Sequence, residues 1–282
     1  MHGSGSNGYE YCAICFQPLR KTKINKKLLQ YISFIVFYLL FFSAGIQAGE
    51  FKWARAKFRI AEENLLINKV DSGMWDIGII NGVSEAEKFL IQYITDNTNI
   101  KISKKLYFVD FTNLDELCKY PFVFMHASGT PVISENETNN IREYLKRGGF
   151  IFAEDCVFHR WEPSAEIVEE PDNYSKYRLK GSAFFRSFKK YVEKKLFPGK
   201  KMKLLSAEHP IYHSLYNFKN GLPFMQGEPV GGYGFSNEKG RLKIFLSNHD
   251  IHCGWGEPKF SREKDTQAIQ MGINIVTYVL TH

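Results

Sequence analysis

Gly148-Gly149-Phe150-Ile151-Phe152-Ala153-Glu154-Asp155-Cys156 is the stretch whose reading decides the fold. The paired glycines end an amphipathic pattern, residues 150–153 are a short apolar strand, and the strand runs out into two acids and a thiol. In open α/β sheets ligands and catalytic groups collect at the carboxyl ends of the strands. The stretch therefore predicts both a fold and the rim where a site belongs.

Working upstream, Ser134-Glu135-Asn136-Glu137 is a capping box. It opens a helix with Ile141, Tyr144 and Leu145 inward, which Gly148 closes as a left-handed cap. Phe122-Val123-Phe124-Met125-His126-Ala127 is the continuous apolar run of a parallel strand buried on both faces. It ends in the turn Ser128-Gly129-Thr130-Pro131, at the same rim as Asp155. Strand, helix and strand follow with connections short enough for a right-handed crossover. Farther upstream, residues 51–58 alternate apolar and basic as a half-buried strand, and residues 70–83 read as loop or broken strand. A second capping box, Ser84-Glu85-Ala86-Glu87, starts a helix with Phe89, Leu90, Tyr93 and Ile94 as its apolar face. Residues 105–111 form a strand, and residues 113–120 a short helix stopping before Pro121.

Downstream, Phe184, Phe188, Val192 and Leu196 define a helix ended by Pro198-Gly199. A short strand spans residues 202–205. Residues 217–235, rich in Gly and Pro, form a long loop or an irregular hairpin. Residues 242–246 are another apolar strand, and a closing helix from Asp265 places Ile269, Ile273, Val276 and Leu280 on the sheet. The expected fold class is α/β, three-layer with a mostly parallel sheet.

The charge of +7 is unevenly placed. Five Lys/Arg and one acid fall in residues 1–48, leaving 32 bases against 29 acids, a net of +3, in residues 49–282. So balanced a body lacks the electrostatic footprint of a nucleic-acid binder. Residues 28–46 carry no charge and follow Arg20-Lys21-Thr22-Lys23-Ile24-Asn25-Lys26-Lys27. They read as a signal peptide cleaved after Ala48 or Ala44, or as an uncleaved membrane anchor; small residues after the apolar run favour cleavage. Either way the Lys/Arg cluster stays cytoplasmic and residues 49–282, a single domain, cross the membrane. The lone Cys12-Ala13-Ile14-Cys15 lacks the second pair of a zinc ribbon and belongs to the leader. Cys118, Cys156 and Cys253 are too few for a disulfide-stapled fold.

Three strand ends carry polar groups: Glu154-Asp155-Cys156, Glu208-His209, and His249-Asp250-Ile251-His252-Cys253. Cys156 could be a nucleophile with His209 as base, but Asp155 and Val157 flank it where an elbow needs small residues, and a neighbouring carboxylate disfavours the thiolate. Asp250 and His252, if extended, point to one side and could hold a divalent metal with Asp155 or His209; otherwise no cofactor is expected. The plainer alternative is that these groups cap helices and bond loop backbone. Glu208-His209-Pro210 also marks a turn. Arg55 could bind an anion or sit on a solvated strand face. Trp161 and Trp255 follow two of the strand ends and form either a carbohydrate platform or rim packing. Gly231-Gly232-Tyr233-Gly234 lacks the Lys-Ser/Thr of a phosphate loop.

GGFIFAEDC, AEHPIYHSLYNF, GRLKIFLSNHDIHCGWGE and the closing MGINIVTYVLTH together resemble the DUF4159 family over roughly residues 50–282. These are exported bacterial proteins without an assigned function. The resemblance implies a flavodoxin-like, class I glutamine amidotransferase-like fold, a Gram-negative source, and a periplasmic location or an inner-membrane anchor facing the periplasm. It also implies membrane-associated partners from MoxR-type ATPase and von Willebrand A-domain systems. Carried over residue by residue, the family's recurrent polar positions are Arg55, Asp155, His209, Pro210, Asp250 and Glu257. Glu154-Asp155 stands where relatives commonly have two Asp. Cys156 is not the amidotransferase elbow, so glutaminase activity does not come with the fold. Two functions are expected: a ligand- or partner-binding envelope domain, with Arg55, Glu154, Cys156, Trp161, Trp255 and Glu257 as binding residues, or an extracytoplasmic hydrolase of a sugar or amide using Asp155, His209 and Asp250, with or without a divalent metal.

Overall fold

Phe122, Phe124, Phe150 and Phe152 alternate with smaller apolar residues along two strands that have no polar side chain until their last turn. Such strands can be satisfied only with a covered sheet face on either side. The computed structural model, which describes residues 49–61, 79–80, 83–127, 129–155, 183–227, 229–256 and 258–282, has this arrangement. Its strands are β1 (Ala54–Lys57), β2 (Arg59–Ile60), β3 (Ile79–Ile80), β4 (Val83–Ser84), β5 (Tyr107–Asp110), β6 (Phe122–Ala127), β7 (Pro131–Val132), β8 (Phe150–Asp155), β9 (Lys203–Leu204), β10 (Tyr233–Ser236) and β11 (Leu242–Ser247). The main sheet has seven strands in the order β5-β1-β6-β8-β11-β10-β9. From β5 to β11 every pairing is parallel, and β10 alone runs against its neighbours. Taken in chain order, the five parallel strands are arranged 2-1-3-4-5, the flavodoxin-like order, with its switch point between β1 and β6.

Helices α1 (Glu85–Asn97), α2 (Leu114–Leu117), α3 (Glu135–Lys146), α4 (Ala183–Tyr191) and α5 (Arg262–Thr281) complete the layers. Leu90, Ile91 and Ile94 of α1 and Met271, Ile275 and Val276 of α5 pack with Phe122, Phe124, Phe150 and Phe152 on one face. Ile141 and Leu145 of α3 and Phe184 and Phe188 of α4 pack with Val123, Met125, Ile151 and Ala153 on the other. The three-layer, mostly parallel α/β architecture is thus the one the strand pattern predicts.

Local signals explain most boundaries. Ser134 caps α3 with Glu137 in a reciprocal box, and Gly148 leaves the helix at a φ of 112°. Asn113 caps α2 through Asp115 and Glu116 N–H groups. The segment read as a long loop or hairpin supplies β10, which forms an antiparallel hairpin with β11. Two helix faces differ from expectation. Phe89 is 46% exposed, because α1 packs through Glu87, Leu90, Ile91 and Ile94, spaced one, four, five and eight. Leu280 is also exposed, since α5 is buried on several sides at residues 271–276 and only its end is free. Asn274 justifies its buried place there by bonding both backbone N–H groups of Leu215 and Tyr216 and the Tyr216 carbonyl.

Gly149 is fixed by packing. A Cβ there would lie 2.3–2.5 Å from ring atoms of Tyr144, whose hydroxyl is tied to the backbone of Phe150. The ring cannot retreat, so Gly149→Ala is expected to destabilise the fold by about 1–3 kcal/mol. Urea denaturation of the two chains measures this, and an unchanged midpoint would contradict the packing described.

Candidate functional site

The register of three central strands puts one polar layer above an aromatic floor. Phe122 is level with Phe150, Phe124 with Phe152, and His126 with Glu154. On the other side of β8, Phe152 is level with Phe245 and Glu154 with Ser247. The rings of Phe124 and Phe152 lie 5.0 Å apart and those of Phe152 and Phe245 5.4 Å apart, both stacked. Above them, at the carboxyl ends of β6, β8 and β11, stand His126, Glu154 and Ser247. Asp250 reaches the same layer from just beyond β11. Ligand atoms of His126, Glu154 and Asp250 all lie within 4.8 Å of one another, and all three residues are buried. Arg55 of β1 approaches from across the switch point.

Each side chain is held by identifiable bonds. Glu154 accepts from the Ser247 hydroxyl at 2.8 Å and from the backbone N–H groups of Ile251 and His252 at 3.0 and 2.8 Å. It thereby caps the 3-10 helix Ile251–Gly254. Asp250 occupies the cap position but makes no capping bond. It is the one described non-glycine residue with positive φ, at 52°, a conformation that costs free energy and collects at functional sites. The turn points its carboxylate inward: Oδ2 accepts from Gln226, and Oδ1 lies 3.8 Å from His126 Nε2. On the other side of the imidazole, Arg55 Nη2 is 3.3 Å from Nδ1. A guanidinium nitrogen only donates, so Nδ1 accepts and the ring proton sits on Nε2, facing Asp250. Glu87 pairs with Arg55 through one oxygen and with His252 Nε2, at 3.1 Å, through the other. The His126 and His252 rings are 4.1 Å apart.

Burial dominates the electrostatics. It raises Glu154 to about 7 and Asp250 to about 6, with Asp250 adding to the rise at Glu154. At His252 burial is the largest single influence and opposes the charge, but the charge and bond of Glu87 together with the bond to Cys253 outweigh it and lift the imidazole to about 10. Asp155 is also raised by burial.

The residues singled out by sequence separate into groups. Arg55, Glu154 and Asp250 meet. Asp155, one residue beyond Glu154 on the strand, faces the opposite side of the sheet and accepts from the Phe185 N–H at 2.7 Å, at the start of α4. His209 is at the far end of the molecule: its ring lies 5.8 Å from that of Tyr278, whose hydroxyl bonds the amide of Leu242 at the amino end of β11. It caps the 3-10 helix Pro210–Tyr212 through the Ile211 N–H. The trio Asp155, His209 and Asp250 is therefore not assembled. His252 does not share a side with Asp250, because the backbone turns into a 3-10 helix rather than staying extended, and its ring goes to Glu87. Trp255 is no surface platform: it is fully buried, packs on Trp53, Phe124 and Phe152, and donates to the Ala268 carbonyl. His249 staples the loop before β10, bonding Pro223 and Gly231. Among the described residues Cys118 and Cys253 form no disulfide. Cys156, Trp161 and Glu257 lie outside the described residues, as do Ser128 and residues 1–48.

His126 and Glu87 were hidden from sequence reasoning. His126 sits inside an apolar run, yet Phe-x-Phe-x-His in β6 repeats Phe-x-Phe-x-Glu in β8, and equal strand offsets would have aligned them. Glu87 reads as the second half of a capping box, but both its oxygens are turned to Arg55 and His252.

By residue type His126, Glu154 and Asp250 would suit a divalent metal. Their surroundings fit one poorly. A metal-bound imidazole donates its other N–H to an acceptor, whereas Nδ1 of His126 faces a guanidinium and the tilted ring of His252 lies beside it. The cluster is better described as a buried acid–base network balanced by Arg55 and His252.

The pH dependence follows from the signs. A carboxyl raised by folding holds its proton longer in the folded state, so stability is greatest below the unfolded value and is lost as pH rises through the folded value. For Glu154 the window runs from 4.5 to about 7. Asp250 acts in the same sense from 3.8 to about 6, and His252 loses its contribution from 6.5 upward. Denaturation at pH 4.5 and 7.5 is expected to show the folded chain weaker at the higher pH, with Glu154 contributing on the order of 3 kcal/mol. Glu154→Gln should remove the share of that difference carried by Glu154 and leave the share carried by Asp250 and His252. A variant with an unchanged pH slope would contradict the assignment.

Among the described residues no helix is long and apolar enough to cross a membrane; the apolar run at residues 28–46 is outside them. No curated protein matches the chain. Residues 68–280, more than half of the sequence, match the family described as Domain of unknown function (DUF4159). The chain belongs to the DUF4159 family.

Proposed function

We propose that this chain is an extracytoplasmic binding domain of the cell envelope whose ligand is read at the carboxyl edge of the sheet by the His126–Glu154–Asp250 layer. The observation that carries the reading is the convergence of these three groups within 4.8 Å beside the switch point of a flavodoxin-like sheet. That is where open α/β sheets take ligands, and buried titratable groups with perturbed pKa mark such places. The strained backbone at Asp250 supports it, since a residue serving only the turn would adopt an easier conformation. Ionising either carboxyl in this dry layer is costly, so the matching ligand group is an amine or hydroxyl donor. The uncharged segment behind a basic flank supports export, and the family resemblance suggests MoxR and von Willebrand A-domain systems as the setting. A hydrolase built on Asp155, His209 and Asp250 loses its support, because the imidazole of that trio is elsewhere.

The test pairs the full-length wild type with Asp250→Asn in a thermal-shift series of amino sugars, polyols and free amino acids. At least one class is expected to raise the wild-type midpoint and to lose most of that effect in the variant. Equal responses of the two proteins to every compound would contradict the reading.

A further inference from the structure

At the amino end of β11, on the opposite edge of the sheet, lies a cavity of about 550 Å³. Its wall includes Arg142, Lys146, Lys200, Lys239 and Lys243 against one acid, Glu238. Arg142 is committed to structure, bonding the carbonyls of Lys195 and Leu196, and Lys146 is 3.6 Å from Glu143. The other three lysines have no ion pair among the described residues.

Lys243 is the unusual one. It is only 6% exposed, and burial, followed by the charge of Arg241, lowers its pKa. Buried lysines are normally paired. Its place is set by a β-bulge: Ser236 is level with Leu242 and Phe235 with Ile244, so the shift leaves Lys243 without a cross-strand partner. Bulges re-aim side chains, and here the extra residue lines the cavity. The apolar wall is equally defined, with the rings of Phe197 and Phe235 stacked 4.0 Å apart at 7°. Nothing in this cavity serves the carboxyl-edge layer.

We propose that this cavity binds a phosphate ester carrying a flat apolar body. Lys200, Lys239 and Lys243 would meet the phosphate, and Phe197, Phe235 and Leu145 the apolar part. A carboxylate would need one cation, whereas three lysines without acidic partners suit a dianion, for which lysine acts as a point charge. The phosphate could belong to a soluble ester or to a lipid headgroup.

The test is calorimetric titration of the full-length chain with phenyl phosphate and with inorganic phosphate, alongside sedimentation with vesicles containing phosphatidic acid. Phenyl phosphate is expected to bind more tightly than inorganic phosphate and to weaken with salt. Lys243→Met should cost at least tenfold in affinity while leaving the thermal midpoint equal or higher, because it removes a largely buried lysine that has no ion pair among the described residues. Vesicle binding without phenyl phosphate binding, lost in the same variant, would assign the headgroup as the source. Should Lys243→Met fail to fold, the doubly substituted Lys200→Gln/Lys239→Gln chain, altered at exposed positions, is expected to show the same loss. No binding to any of the three probes, or equal binding by wild type and variants, overturns the proposal.

Discussion

The parallel register of β6, β8 and β11 is the constraint on which the rest depends. It sets Phe122 beside Phe150, and Phe152 between Phe124 and Phe245, so that five phenyl rings make a dry floor. Each ring buried there contributes roughly 2 kcal/mol relative to exposure. The same register then has no choice about the next layer: His126, Glu154 and Ser247 must stand side by side. A slip of one residue would turn all of them to the other face. The hydrophobic pattern that stabilises the sheet thus also assembles the polar cluster, and the apolar floor offsets the cost of holding charge in it.

That cost is contained by pairing. Arg55 and His252 bring positive charge to a place where Glu87, Glu154 and Asp250 bring negative charge, and the bonds run through β1, α1, β6, β8 and the 3-10 helix after β11. Removing one member of a buried pair strands its partner, which is more damaging than replacing both. The network therefore ties the two halves of the sheet together across the switch point. Asp250 differs from the others, since its backbone is strained and its carboxylate is aimed inward instead of capping its own helix. On the proposed reading, that strain marks Asp250 as part of a ligand site and not only of a satisfied core.

Much of the fold was legible because its signals are local. Ser134 with Glu137, Asn113, and Gly148 each announce a helix end through bonds made within a few residues. The uninterrupted apolar strands announce a parallel sheet. The site was half legible: Glu154 and Asp250 follow apolar strands and stand out, whereas Arg55 was one of three basic residues, with Lys52 and Lys57, in a strand alternating apolar and basic. His126 did not stand out, because a histidine in a buried run looks like packing until its level on the neighbouring strand is known. His209 misled for the converse reason. Its strand-end setting suggested the same rim, but the short strand before it belongs to the far edge of the sheet, and a turn carries the histidine to the opposite end. Trp255 likewise followed a strand end yet turned inward, since the 3-10 helix after Asp250 redirects the chain. Tertiary register, unlike capping, leaves no mark within a few residues.

Carboxyl-carbon NMR titration of Glu154 and Asp250 tests the central claim most directly. If the two groups share a dry layer with His126, Glu154 titrates near 7 and Asp250 near 6, and substitution of either shifts the other downward. Independent titration of both at ordinary carboxylate values would mean that the layer is open to water and its members are not coupled.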